Sequence, residues 1–217
     1  MSRLLWFSLF LVVSVSRLSG ETDLPRVLLI GDSISIGYTP FVKAAMEDEA
    51  YVEHHKGNAG DTWRGLELLD KWLGDGDWDL IHFNWGLWDL CYRHPESKVQ
   101  GKRDKIRGAQ TTSLAQFERN LDTLVQRLKQ TKAKLIWASI TVVPEGEAGR
   151  FSGEEELYND AASRVMERHK VATNDLHALT VNFTPELFRA PGDVHYLEAG
   201  SRRVGEQVAD AIREALR

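Results

Sequence analysis

The chain has 217 residues, 42% of them hydrophobic and 27% charged, with a formal net charge of −5. That length suits one well-buried domain rather than two, and the mild acidity argues against nucleic acid as the main partner. A single cysteine, Cys91, excludes an internal disulfide, so the fold must rest on its core.

At the N-terminus Arg3 precedes an apolar run from Leu4 to Val15 and then the small, polar SRLSG. This pattern predicts a secretory signal peptide over residues 1–20, cut after Gly20, and hence a secreted or periplasmic protein. The run falls short of the roughly 20 residues of a membrane span, so no stable span is expected once the leader is removed. The folded domain is expected over 26–217.

From there strands and helices alternate. Arg26–Ile30 reads as a strand, Pro40–Glu49 as a helix and Tyr51–His54 as a second strand. After the turn GNAGDT (57–62), Trp63, Leu66, Leu69, Trp72 and Leu73 recur at helical spacing. A break at 75–77 leads into the strand WDLIHFNW (78–85). A helix over Thr112–Gln130, a strand over Ala133–Val143, a helix over Glu154–Lys170 and a short strand at 171–173 follow. The last helix is expected from about Glu198 to Leu216. Apolar runs such as VLLI suit strands buried on both faces with helical crossovers. The predicted fold is one three-layer α/β domain with a mostly parallel sheet, its site beyond the carboxyl ends of the strands. Residues 91–111 resist assignment: they form a long, basic insert, either a solvated loop or a rim that meets an anionic or sugar substrate.

Ser33 stands where the first strand turns into a helix, so its hydroxyl would be presented beside helix-start N–H groups; the same position suits a simple cap. A nucleophilic serine needs a base, and His195, two residues after Asp193 on the loop before the last helix, is the candidate. His54-His55 lack the further ligands a metal would need.

GDSIS (31–35), GNAGDT (57–62), FNWGLWDL (83–90) and DVHYLEAGS (193–201) fall in order along the chain. Together they resemble the signature blocks of the GDSL/SGNH hydrolases. The resemblance implies a flavodoxin-like α/β/α sandwich and a carboxylic-ester hydrolase without metal or organic cofactor. On it, Ser33 is the nucleophile, His195 the general base and then acid, and the Ser33 and Gly60 N–H groups are oxyanion donors. Two positions depart from the family pattern. Trp88 stands where the third block carries its oxyanion asparagine, and Asn84 or the Trp88 indole is the substitute. Gly192 stands where the acidic partner of His195 is usual, leaving Asp193 to complete a triad or a Ser-His dyad to work on a backbone carbonyl. Asp32, Trp85 and Trp88 are candidate substrate contacts.

The expected activity is removal of acyl groups, acetyl above all, from a small or carbohydrate-linked ester. A lipase or lysophospholipase of the same fold, and an inactive carbohydrate-binding domain, are the alternatives.

Overall fold

In the computed structural model, which describes residues 24–74 and 76–217, the apolar segment Arg26–Ile30 forms β1, with Val27 to Ile30 all buried. The leader expected over residues 1–20 lies outside the described residues. β1 pairs in parallel with β2 (Tyr51–His54) on one side and β3 (Leu80–Phe83) on the other. β6 (Lys134–Ala138) then joins β3, and β7 (Ala172–Asn174) joins β6, again in parallel. The sheet order is therefore β2-β1-β3-β6-β7. Because β1 is an interior strand of a sheet covered by helices on both faces, its side chains are buried on either side, which explains the unbroken VLLI run.

Alternation along β3 sets the layers. His82 meets Tyr38 of α1 (Ser33–Ala45) edge-on, with ring centroids 6.4 Å apart. The next residue, Phe83, points the other way, against Trp85 and Trp137. Trp85 in turn abuts Gly65 of α2 (Thr62–Leu73), where a Cβ would lie 2.9 Å from the indole. One layer is thus α1 packed on α6 (Glu198–Leu216), and the other is the row α2, α3 (Leu114–Lys129) and α4 (Glu154–His169). No helix of the described residues is long and apolar enough to cross a membrane.

Two local expectations need correction, and the unassigned insert gains a structure. The first helix begins at Ser33, seven residues before Pro40. Asp32 caps it by accepting the Ile34 N–H at 2.9 Å, and Pro40 lies on the exposed face. There the carbonyl that loses its partner can be solvated, so the ring is tolerated. The fourth strand of the sheet, β6, ends at Ala138 rather than at Val143. Beyond it the backbone leaves the ladder, and side chains replace the strand partners: Asn159 accepts from Ile140 N–H and donates to its carbonyl, Thr180 Oγ1 accepts from Val142 N–H and Glu155 from Val143 N–H. The basic insert is no featureless loop. Its ends pair as a two-stranded antiparallel ribbon, β4 (Tyr92–Arg93) with β5 (Ala109–Gln110), and a 3-10 turn at Gln100–Lys102 lies between them. A short α5 (Leu176–Thr180), capped by Asp175, completes the set.

Candidate active site

β1 lies where the sheet order reverses, between β2 and β3, and the chain leaving its carboxyl end turns at Gly31-Asp32 into α1. Ser33 is the first residue of that helix, so its own N–H has no intrahelical acceptor and points out with the positive end of the helix dipole. The turn is braced from behind: Ser35 Oγ donates to the Asp32 carbonyl at 2.7 Å and also meets His54 Nε2 at 2.7 Å. His55 Nε2 reaches the Gly31 carbonyl at 2.9 Å. Both histidines are thereby used to hold the turn. Burial pushes the His54 pKa down to about 4, so that ring is a neutral brace. Asp32 is buried, and burial lifts its carboxyl above the ordinary range against the pull of the Ile34 N–H, Arg150 and His195.

Far along the chain, Val194 and Tyr196 alternate with Asp193 and His195. The first two are buried, and Tyr196 packs against Phe183 and Phe188 with centroids 5.3 and 5.2 Å away. This anchoring turns Asp193 and His195 outward, toward Ser33. The Ser33 hydroxyl meets His195 Nε2 at 2.9 Å, and His195 Nδ1 meets Asp193 Oδ1 at 2.6 Å. The same carboxylate oxygen accepts the His195 backbone N–H at 2.9 Å. Burial alone would raise the Asp193 carboxyl, but the His195 N–H groups and Arg189 hold it below its usual range. An ionised Asp193 favours the tautomer with its proton on Nδ1, leaving Nε2 to accept from the serine. The separation of two residues between acid and histidine is therefore workable: the backbone turns so that one oxygen serves both N–H groups.

Around these residues lies a cavity of about 290 Å³ whose wall includes Asp32, Ser33, Asn58, Trp88, Arg93, Asp193 and His195. Among the candidates for the oxyanion, Asn84 is not brought to it. Its amide donates to the Ala138 carbonyl at 2.7 Å, and it lines a separate small space with Ser35, Tyr38 and Thr141. Nor does Trp85 reach the cavity; it is buried in the core, since the left-handed turn at Gly86 (φ +134°) reverses the chain right after it. The Gly60 N–H is already engaged, donating to Asn58 Oδ1 at 2.8 Å. Asn58 is the residue that sequence reasoning passed over. With its oxygen held by Gly60, its Nδ2 has no protein partner among the described residues, and the side chain is part of the cavity wall. Its place two residues before Gly60 in GNAGDT was the available signal. Trp88 does line the cavity, but the Arg93 guanidinium lies over its ring, 4.8 Å from the centroid.

Asp89, next to Trp88, supports the site from below. It is fully buried and takes the Thr62 N–H at 3.0 Å and the Thr62 hydroxyl at 2.6 Å, pinning the start of α2 and with it the GNAGDT turn. Among the described residues no cluster of three or more His, Cys, Asp or Glu side chains is arranged to hold a metal ion.

Residues 29–203 match the GDSL-like lipase/acylhydrolase family. The chain belongs to that family. With membership comes its coarse activity, hydrolysis of carboxylic esters. Several solved structures share the fold at low sequence identity. A lipase/acylhydrolase from Enterococcus faecalis is 20% identical with a TM-score of 0.71, over 88% of this chain and 96% of that one. An acetyl xylan esterase, AlAXEase, is 15% identical with a TM-score of 0.68, over 86% of this chain and 99% of that one. The esterase EstA from Pseudoalteromonas sp., in a structure inhibited by monoethylphosphonate, is 14% identical with a TM-score of 0.66, over 88% and 98%. No curated protein sequence matches this chain.

Proposed function

We propose that this GDSL-like hydrolase is an exported serine esterase that removes small acyl groups, acetyl above all, from a small or carbohydrate-linked alcohol. The observation that carries the reading is the continuous relay from Ser33 Oγ through His195 to Asp193, at 2.9 and 2.6 Å. Ser33 attacks the ester carbonyl while His195 Nε2 takes its proton. His195 returns that proton to the departing alcohol, and an acyl-serine remains. Water then attacks the acyl-serine with His195 again acting as base, releasing the acid. Asp193 stays ionised and holds the imidazolium. The oxyanion is met by the Ser33 N–H at the start of α1 and by Asn58 Nδ2, with Gly60 acting through Asn58 by fixing its amide. The leader read over residues 1–20 supports export, and the small cavity, whose wall carries Asn58, Gln100 and three arginines, supports a short acyl chain over a fatty one.

A fluorophosphonate probe with mass-spectrometric mapping tests this, run beside nitrophenyl esters of increasing acyl length. The expected outcome is an adduct on Ser33, turnover greatest for acetate, and abolition of both in Ser33→Ala. Asp193→Ala should lower kcat by about 10³–10⁴. No adduct and no Ser33-dependent turnover would overturn the reading; a preference for long acyl chains would make the protein a lipase.

A further inference from the structure

Three arginines, Arg93, Arg103 and Arg150, stand in the wall of the cavity that holds Ser33 and His195. Their nearest counter-charge is thin. Arg103 Nη1 and Arg150 Nη1 both donate to the same oxygen, Glu147 Oε1, at 2.8 and 2.9 Å, so one buried carboxylate serves two guanidinium groups. Arg93 has no carboxylate partner among the described residues. It is nonetheless held firmly: Nε donates to Thr111 Oγ1 at 3.1 Å, Nη1 donates to the Gly101 carbonyl, and the plane lies over Trp88. That leaves Nη2 without a partner among the described residues, on a guanidinium whose orientation is already set. Of the two carboxylates in the wall, Asp193 is tied to His195 and Asp32 caps α1.

The backbone adds a second observation. Arg93 and Arg103 are direct antiparallel bridge partners, so two like charges are placed opposite each other, an arrangement that ordinarily destabilises a ribbon. In a chain of net charge −5, a backbone bridge that pairs two arginines in the wall of the cavity that holds Ser33 is suited to meet an anion, and the planar fork of arginine fits a carboxylate.

We propose that the cavity recognises an ester whose alcohol part carries an anionic oxygen group, a carboxylate foremost, bound by the free edge of Arg93 with Arg103 beside it. This deepens, and rests on, the esterase reading: with a short acyl group at Ser33, most of the cavity is left to the alcohol.

The test compares 4-acetoxybenzoate with its neutral isostere 4-acetoxybenzamide on the full-length protein, and adds 4-acetoxybenzenesulfonate to separate carboxylate from sulfonate recognition. Wild type should favour the benzoate over the amide by about tenfold or more in kcat/KM, in line with one charge-assisted contact. Added salt should shrink the preference. Arg93→Gln should bring the ratio close to one, and Gln100→Glu, on the exposed rim of the same cavity, should lower it without touching the ribbon's packing. Equal preference for the sulfonate would assign the site to anionic oxygens in general. A ratio near one in wild type, with turnover intact, overturns the anionic subsite and leaves the esterase reading standing. Should no ester be turned over, calorimetry with 4-hydroxybenzoate and 4-hydroxybenzamide still decides. Tighter binding of the benzoate, lost in Arg93→Gln, supports the subsite, and equal binding overturns it.

Discussion

Asn58 and Asn84 show how one hydrogen bond redirects a side chain. Both are asparagines near a strand end, and Asn84 lies closer in sequence to the family position that Trp88 occupies. Its amide, however, is spent on the Ala138 carbonyl, a buried residue whose oxygen would otherwise be orphaned. Asn58 is in the opposite situation, with its oxygen held by Gly60 and its nitrogen left over. Removing that donor in Asn58→Ala should lower kcat by about 10²–10³ with little change in KM, the mark of a contact made in the transition state. Asn84→Ala should instead cost about 1–3 kcal/mol of stability through the orphaned carbonyl. Steady-state kinetics and urea denaturation of the two variants separate the roles, and a kcat defect confined to Asn84→Ala would reverse them.

On the scale of elements, the ends of β1 and β3 decide where the chemistry sits. α1 starts immediately after β1 because Asp32 supplies a cap and the following residues can be helical. A proline seven positions in does not prevent it, because that face is exposed. After β3 the chain must reverse so that Trp85 enters the core while Trp88 and Asp89 turn back toward α2. Gly86 makes the reversal with φ +134°, and a Cβ there would lie 2.2 Å from Ile140 Cδ1. Gly86→Ala therefore combines backbone strain with a clash in a closed core. A loss of about 3 kcal/mol or more is expected in urea unfolding, with weaker hold on the GNAGDT turn as its consequence. Unchanged stability would mean that the turn is looser than its packing implies. The basic insert belongs to the same scale: its ribbon pairing, invisible to hydrophobic periodicity, is what turns a stretch of scattered cations into a wall of the cavity.

Across the whole molecule, Asp89 joins parts distant in sequence: it holds the start of α2 through Thr62, its carbonyl takes the Thr112 N–H ahead of α3, and Asn120 of α3 bonds to the Thr62 hydroxyl. Burial pushes its carboxyl up to about 7 despite the Thr62 bonds. A carboxyl raised in the folded state stays protonated where the unfolded chain has already ionised. Stability from this group is therefore full below about pH 4 and is lost progressively as pH rises to about 7. Asp89→Asn keeps an acceptor for Thr62 and removes the titration. Its unfolding free energy should be flatter between pH 5 and pH 8 than that of wild type, as denaturant titrations at the two pH values would show. Parallel slopes would mean that Asp89 is ionised throughout.

Local patterns in the chain were enough to determine the alternation of strands and helices, the parallel sheet, the turn that presents Ser33 and the histidine that answers it. The first three depend on patterns within a few residues, namely apolar periodicity, a cap and a Gly-flanked turn, whereas His195 is legible only from its place two residues after Asp193 on the loop before the last helix. The four blocks, read in order, also carried the family. Only the tertiary structure decided the rest. Whether Asp193 could serve His195 from two residues away depended on Val194 and Tyr196 being drawn into the core on either side. Whether Asn84, Trp85 or Asn58 faced the serine depended on what else each could bond or bury against across the sheet. The three arginines met at the cavity because β4, β5 and the loop after β6 converge there. A side chain's direction is settled by partners that lie tens of residues away, and periodicity along the chain holds no record of them.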